Sequence, residues 1–166
     1  MMAKLEQILN LGWFMNLHEQ KEFEVNTSSL KLVRSFAKDF FEKYDLLKSH
    51  KDDLVLAISE AAQNIVKHAY NGGPHTDKMK VEISLKENFL QVDLYDKGKV
   101  AVPKNIKPRE LNDIRSGGLG TFFIREIMDE VVFKSKNEKI KYMDEAVFKT
   151  KKDKNWINHL VLTKRL

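Results

Sequence analysis

Between Leu30 and Ala69 the apolar residues fall at intervals of three and four in two successive blocks, a spacing that a helix turns to one side. The first block is Leu30, Val33, Phe36, Ala37, Phe40, Phe41 and Tyr44. It follows Asn26, Thr27 and Ser28, whose side chains suit a helix N-terminus. The second is Val55, Ile58, Ala62, Ile65 and Ala69, after the polar break Ser49 to Asp53, and it stops at Asn71 to Pro74, where glycine and proline end a helix. Two such stripes need a common surface to cover, and alternating segments on both sides supply one. Glu22 to Val25 reads as a short strand, and Val81 to Leu85 with Phe89 to Leu94 as a hairpin around Lys86, Glu87 and Asn88. SGGLG at Ser116 to Gly120 opens a third helix with Leu119, Phe122, Phe123 and Ile127 as its expected buried side. His159 to Thr163 reads as a last strand. Lys99 to Ser116, with prolines at 103 and 108, is expected to be a long loop of the lid or binding-loop kind. This order predicts an α/β fold: a two-layer sandwich with helices on one face of a mixed, mostly antiparallel sheet.

A chain of 166 residues suits one domain, and 42% hydrophobic residues are enough for a core. The lack of cysteine excludes a disulfide frame, a thiolate zinc site and a cysteine nucleophile, and it fits a reducing compartment. The charge of +5 is spread, with lysines often beside acids, so it makes no nucleic-acid footprint. The opening MMAKLEQILNLGWFMNL is broken by Glu6, Gln7 and Asn10, well short of the roughly 18–20 apolar residues of a membrane span. It also lacks the basic start and cleavage site of a signal peptide. The expectation is a cytoplasmic protein with no membrane and no direct nucleic-acid partner. Met15 is a second candidate start, so residues 1–14 are expected to be an N-terminal extension or an over-long start, and residues 15–166 the domain. MDEVVFKSK at 128–136 recurs as MDEAVFKTK at 143–151, a local tandem duplication of which one copy is expected to serve as helix end and strand start.

Three constellations carry chemistry. Glu60 and Asn64 stand four residues apart, hence on one helix face, with Lys67 and His68 one turn further. A carboxamide oxygen is a hard ligand suited to Mg²⁺, and a carboxylate beside it can take a proton from an attacking hydroxyl. In LYDKGK, a strand runs into Asp96 and Gly98. There the acid can accept a hydrogen bond from an exocyclic amine such as that of adenine, and the glycine lets a flat base approach. Gly117, Gly118 and Gly120 leave backbone N–H groups open at a helix start, where phosphate is favoured. Each pattern alone is also an ordinary surface spacing, turn or glycine-rich connection. His18, His50, His75 and His159 show no metal-ligand spacing and are expected at the surface.

Taken in this order, E-x-x-x-N, D-x-G and G-G-L-G resemble the GHKL, or histidine-kinase-like, ATPase superfamily. NIVKHAY and GGLGTFFIREIMDEV resemble its anti-sigma-factor serine kinase branch. The resemblance covers about Glu22 to Val131 and the last strand, and it implies the Bergerat-type ATPase sandwich. It implies ATP and Mg²⁺ as cofactors, Asn64 as the magnesium ligand and Glu60 as the catalytic base for an acceptor serine. It also implies Asp96 and Gly98 at adenine, and Gly117, Gly118 and Gly120 around the phosphates. Lys67, His68, Arg115 and Leu119 complete the implied cofactor contacts. Lys104, Lys107, Arg109 and Arg115 are the lid cations available to a γ-phosphate. The partners implied are a sigma factor and its STAS-like antagonist, the kinase acting as a homodimer. The alternative is an ATP-binding module that sequesters a partner without phosphotransfer. The chain departs from the family pattern at Val100, which stands for a second glycine. It departs again at Ile157 and Asn158, which stand where a Gly-Thr pair is usual, and in the duplicated MDE segment.

Overall fold

The structure, a computed structural model, describes residues 16–100, 119–135 and 155–166. Five strands, β1 (Asn16–Val25), β2 (His75–Lys86), β3 (Phe89–Asp96), β4 (Glu130–Ser135) and β5 (Asn158–Arg165), form one sheet in the order β1-β2-β3-β5-β4. All four described pairings are antiparallel, so the expected mixed sheet has no parallel pair among the described residues. The helices are α1 (Ser29–Glu42), the single turn α2 (Asp45–Lys48), α3 (Lys51–Asn64) and α4 (Leu119–Ile127). A π-helical turn, Ile65–Ala69, continues α3.

Alternation decides which sheet face is covered. Met79, Val81, Ile83 and Leu85 of β2 and Leu90, Val92 and Leu94 of β3 share one core with Val33, Ala37, Phe40 and Phe41 of α1 and Leu54, Ala57, Ile58 and Ala61 of α3. Truncating a large member such as Phe40 or Phe41 to alanine would cost about 3–5 kcal/mol through lost burial and the cavity left. α1 packs on α3, and α3 in turn carries α4, so α3 is the middle of the helical layer. Its first turn holds Asp52 and Asp53, acids that the helix dipole favours at that end.

Local chemistry sets the connections. Asn26 Oδ1 accepts hydrogen bonds from the Ser29 amide at 2.8 Å and the Ser28 hydroxyl at 2.7 Å, so the α1 start is fastened from Asn26 rather than from its N-cap Ser28. The hairpin between β2 and β3 closes through Glu87 and Asn88, with Glu87 at φ 56°. The first copy of the repeated segment supplies buried Met128 and the edge strand β4; the second lies outside the described residues.

Two expectations are corrected. α4 buries Ile124 and half-buries Phe122 and Ile127, with Met128 buried just past its end, while Leu119 and Phe123 are 52% and 39% exposed. Its apolar residues cover more than half of its circumference, and packing on α3 selects a different side from the one the spacing suggested. His159, like His50, is half-buried rather than a surface residue. His159 stacks on the Tyr95 ring at 4.1 Å, and its Nε2 meets Asp93 Oδ1 at 2.6 Å, on the sheet face turned away from the helices.

Candidate functional site: one helix face, a strand end and a helix start

α3 presents Glu60 and Asn64 one turn apart, both half-buried. The start of α4 reaches this face. A Cβ built on Gly120 would collide with the Glu60 carboxylate and lie 3.5 Å from Glu60 Cβ, so hydrogen at position 120 is what lets the acid rest there. A carboxylate at the amino end of a helix is favoured by the unpaired N–H groups and the macrodipole. The same donors would receive a phosphate.

Beyond Asn64 the helix widens, and Lys67 and His68 lie exposed on the π-helical turn. Each residue of a wide turn rotates less about the axis, so neither continues the line of Glu60 and Asn64. Such turns recur at functional sites. The segment ends with Asn71 at φ 55° and Gly72 at φ 76°, and the Gly72 amide returns to the Val66 carbonyl at 2.9 Å.

The strand end is built against this turn. Alternation from Leu90, Val92 and Leu94 sets Asp96 on the helix-facing side of β3, where it is only 4% exposed. A Cβ on Gly98 would stand 2.6 Å from Ala69 Cβ, 2.7 Å from the Ala69 carbonyl oxygen and 2.7 Å from the Tyr70 ring. The Lys99 amide also donates to the Ala69 carbonyl at 3.0 Å. Gly98 is therefore required by close approach, whatever ligand the turn serves. Asp96 Oδ1 receives the Gly98 amide at 2.8 Å and Asn158 Nδ2 at 2.8 Å. Burial pushes the Asp96 carboxyl above its ordinary range, and those two donors pull it back toward the charged form. Tyr70 completes the turn: its hydroxyl accepts the Lys97 amide at 3.1 Å and donates to Asp77 Oδ2 at 3.3 Å, and burial raises its pKa.

The structure thus joins Glu60 with Gly120, and Asp96 and Gly98 with the end of the Asn64 helix. Arg115, Gly117 and Gly118 lie outside the described residues, as do Lys104, Lys107 and Arg109. Leu119 and Gly120 form the first turn of α4. Sequence reasoning gave Tyr70 no role and marked Asn158 only as a departure. Tyr70 had a signal in its adjacency, since it closes NIVKHAY; Asn158 had none, because only the sheet register sets it opposite Asp96.

A family model described as "Histidine kinase-like ATPase domain" matches residues 23–148. The chain belongs to the histidine kinase-like ATPase domain family. The described two-layer arrangement, an antiparallel sheet under one helical layer, is the fold of this ATPase family. It is 28% identical over 120 residues to a protein named "Serine-protein kinase RsbW" from Staphylococcus aureus strain JH9, covering 67% of this chain and 76% of that one. A second Staphylococcus aureus protein of that name is 28% identical over 110 residues, covering 61% and 69%. Among solved structures, a chain from "The crystal structure of SiaB-SiaC complex from Pseudomonas aeruginosa" superposes with a TM-score of 0.58 at 13% identity. That match covers 99% of this chain and 96% of the other, a likeness of fold. Among the described residues no helix is long and apolar enough to cross a membrane.

The donors present fit the cofactors of such an ATPase domain. Asn64 offers one hard oxygen beside the Glu60 carboxylate, and among the described residues no cluster of three or more histidine, cysteine or carboxylate side chains competes for a metal. The start of α4, where the Glu60 carboxylate rests against Gly120, offers backbone N–H groups of the kind that hold a phosphate.

Proposed function

We propose that this protein is an ATP-dependent serine kinase of the anti-sigma-factor type, which binds a sigma factor and phosphorylates a serine on the sigma factor's STAS-like antagonist. The observation that carries the reading is the contact of the Glu60 carboxylate with Gly120 at the start of α4, one turn from Asn64. It sets a candidate base, a candidate metal ligand and a phosphate-favouring helix start side by side. The name of the relatives, serine-protein kinase, supports the same activity.

In this mechanism Glu60 accepts the proton of the acceptor hydroxyl, a contribution of about 10²–10⁴-fold. Asn64 holds Mg²⁺ through its carboxamide oxygen, and when bound the ion neutralises charge on the phosphates. Asp96 accepts a hydrogen bond from the exocyclic amine of adenine. Gly98 keeps the strand-end turn tight against Ala69 and Tyr70, fixing the wall beside the base. The backbone N–H groups of Gly117, Gly118, Leu119 and Gly120 would hold the phosphates, and Arg115 would add positive charge. Lys67 would add charge for a phosphate and His68 would orient its neighbours. The kinase works as a cytoplasmic homodimer.

The test mixes the purified protein with Mg²⁺, γ-labelled ATP and the antagonist domain encoded beside it, comparing wild type with Glu60→Gln. A kinase transfers label and Glu60→Gln does not. A sequestering module would bind its partner equally well in both proteins and transfer nothing in either.

A further inference from the structure

Asn158 is 2% exposed, and its Nδ2 faces three acceptors at once: Asp96 Oδ1 at 2.8 Å, the Gly98 carbonyl at 3.3 Å and the Lys99 carbonyl at 3.2 Å. This settles the orientation of the amide, because a flipped group would set its oxygen against a carboxylate and two carbonyls. With two hydrogens for three acceptors, one N–H goes to the carboxylate and the other is shared by the carbonyls. The amide oxygen is left buried with no hydrogen-bond partner among the described contacts, a loss that replacing asparagine would relieve. A threonine hydroxyl has a single hydrogen and would serve one of these acceptors. An aspartate would repel all three.

The turn from Asp96 to Lys99 is also held from its other side, by the Lys99 amide on Ala69 and by Gly98 against Ala69 and Tyr70. It is clamped between β5 and the π-helical turn, and Asn158 is the β5 half of the clamp. We propose that Asn158 is the positioning residue of this strand-end pocket. By donating to Asp96 and to the turn behind it, Asn158 keeps the carboxylate oriented and able to accept a hydrogen bond from the amine of a purine base. The inference rests on the nucleotide reading for the identity of the ligand, but the hold on Asp96 belongs to the protein alone.

The other titratable groups that act on Asp96 are Asp77 of β2, which disfavours its charge, and Tyr70, whose hydroxyl joins Asp77 to the Lys97 amide. Lys97 itself directs its ammonium over the Trp156 ring at 5.3 Å. Because the Asn158 bond favours the charged carboxylate, its removal moves the Asp96 titration upward. Binding that needs the charged form then fails at a higher pH.

The experiment compares wild type, Asn158→Leu and Asn158→Thr. In nucleotide-free protein, carboxyl-carbon NMR follows the Asp96 titration. It is expected about one pH unit higher in Asn158→Leu, with Asn158→Thr between it and wild type. Calorimetry with ATP is expected to show the acid limb of binding displaced by the same amount and affinity at neutral pH reduced about tenfold in Asn158→Leu. Affinity for inorganic tripolyphosphate, which has no base, stays unchanged. An Asp96 titration identical in all three proteins overturns the proposal, as does an equal loss for ATP and tripolyphosphate. If wild type binds no ATP, the kinase reading falls and the Asp96 titration alone decides the role of Asn158. If Asn158→Leu does not fold, the Asn158→Thr displacement decides it.

Discussion

Gly120 lies so close to Glu60 that the smallest side chain at position 120 would displace the carboxylate and leave the backbone in place. The atom in the way is the far end of a flexible chain, so Gly120→Ala relieves the clash by moving Glu60, while alanine favours the helix. The expected outcome is a phosphotransfer rate reduced about tenfold or more with a melting temperature that does not fall. Activity and thermal unfolding measured on one preparation check it.

Gly98 predicts the opposite division. Its neighbours are the Ala69 Cβ and carbonyl and the Tyr70 ring, none of which can swing aside. Gly98→Ala should destabilise the fold by about 1–3 kcal/mol, as overpacking does, and lower the urea midpoint with or without nucleotide.

Asp96→Asn should separate stability from binding. The folded state raises the Asp96 carboxyl above its unfolded value, so the native protein holds this proton over a pH window in which the unfolded chain has lost it. Stability therefore falls as pH rises through that window, and the cost persists above it. Asparagine has no charge to bury and is expected to be more stable at neutral pH by about 1 kcal/mol. The advantage should close as pH falls through the raised value to the ordinary carboxylate range, while ATP affinity drops at least about tenfold. Denaturant titrations at several pH values and calorimetry with ATP test the two halves.

Asn64→Ala should abolish the part of ATP affinity that depends on magnesium and leave the metal-free affinity unchanged. A magnesium titration of ATP binding reads this directly. Glu60→Gln, whose neutral amide takes no proton, should keep that magnesium dependence and lose turnover by about 10²–10⁴-fold.

α1 was legible almost to its ends, because six apolar residues from Leu30 to Phe41 lie on one side and Asn26 marks the entry. β1 was not: the pattern showed only its last four residues, although it begins at Asn16. Glu19 and Lys21 occupy positions on the inner face of this edge strand, and Glu19 is accommodated by the Lys43 ammonium at 2.7 Å from the end of α1. The polar break from Ser49 to Asp53 hid the α3 start, whose acids suit a helix amino end but carry no apolar signal. For the site, the Glu60–Asn64 pair follows from helical spacing alone. The hold on Asp96 needed the sheet register that sets Asn158 opposite it, a pairing across 62 residues that no local pattern encodes.

The π-helical turn at Ile65–Ala69 accommodates about one residue more than a regular helix would in the same length. Five residues at that pitch cover nearly the rotation and rise of four regular ones, so deleting Lys67 or His68 would restore a plain helix with Ala69 and Tyr70 still beside Gly98, Lys99 and Lys97. An inserted residue would find that slack already used and would turn Ala69 and Tyr70 away by about 100°. This stretch therefore tolerates losing a residue better than gaining one.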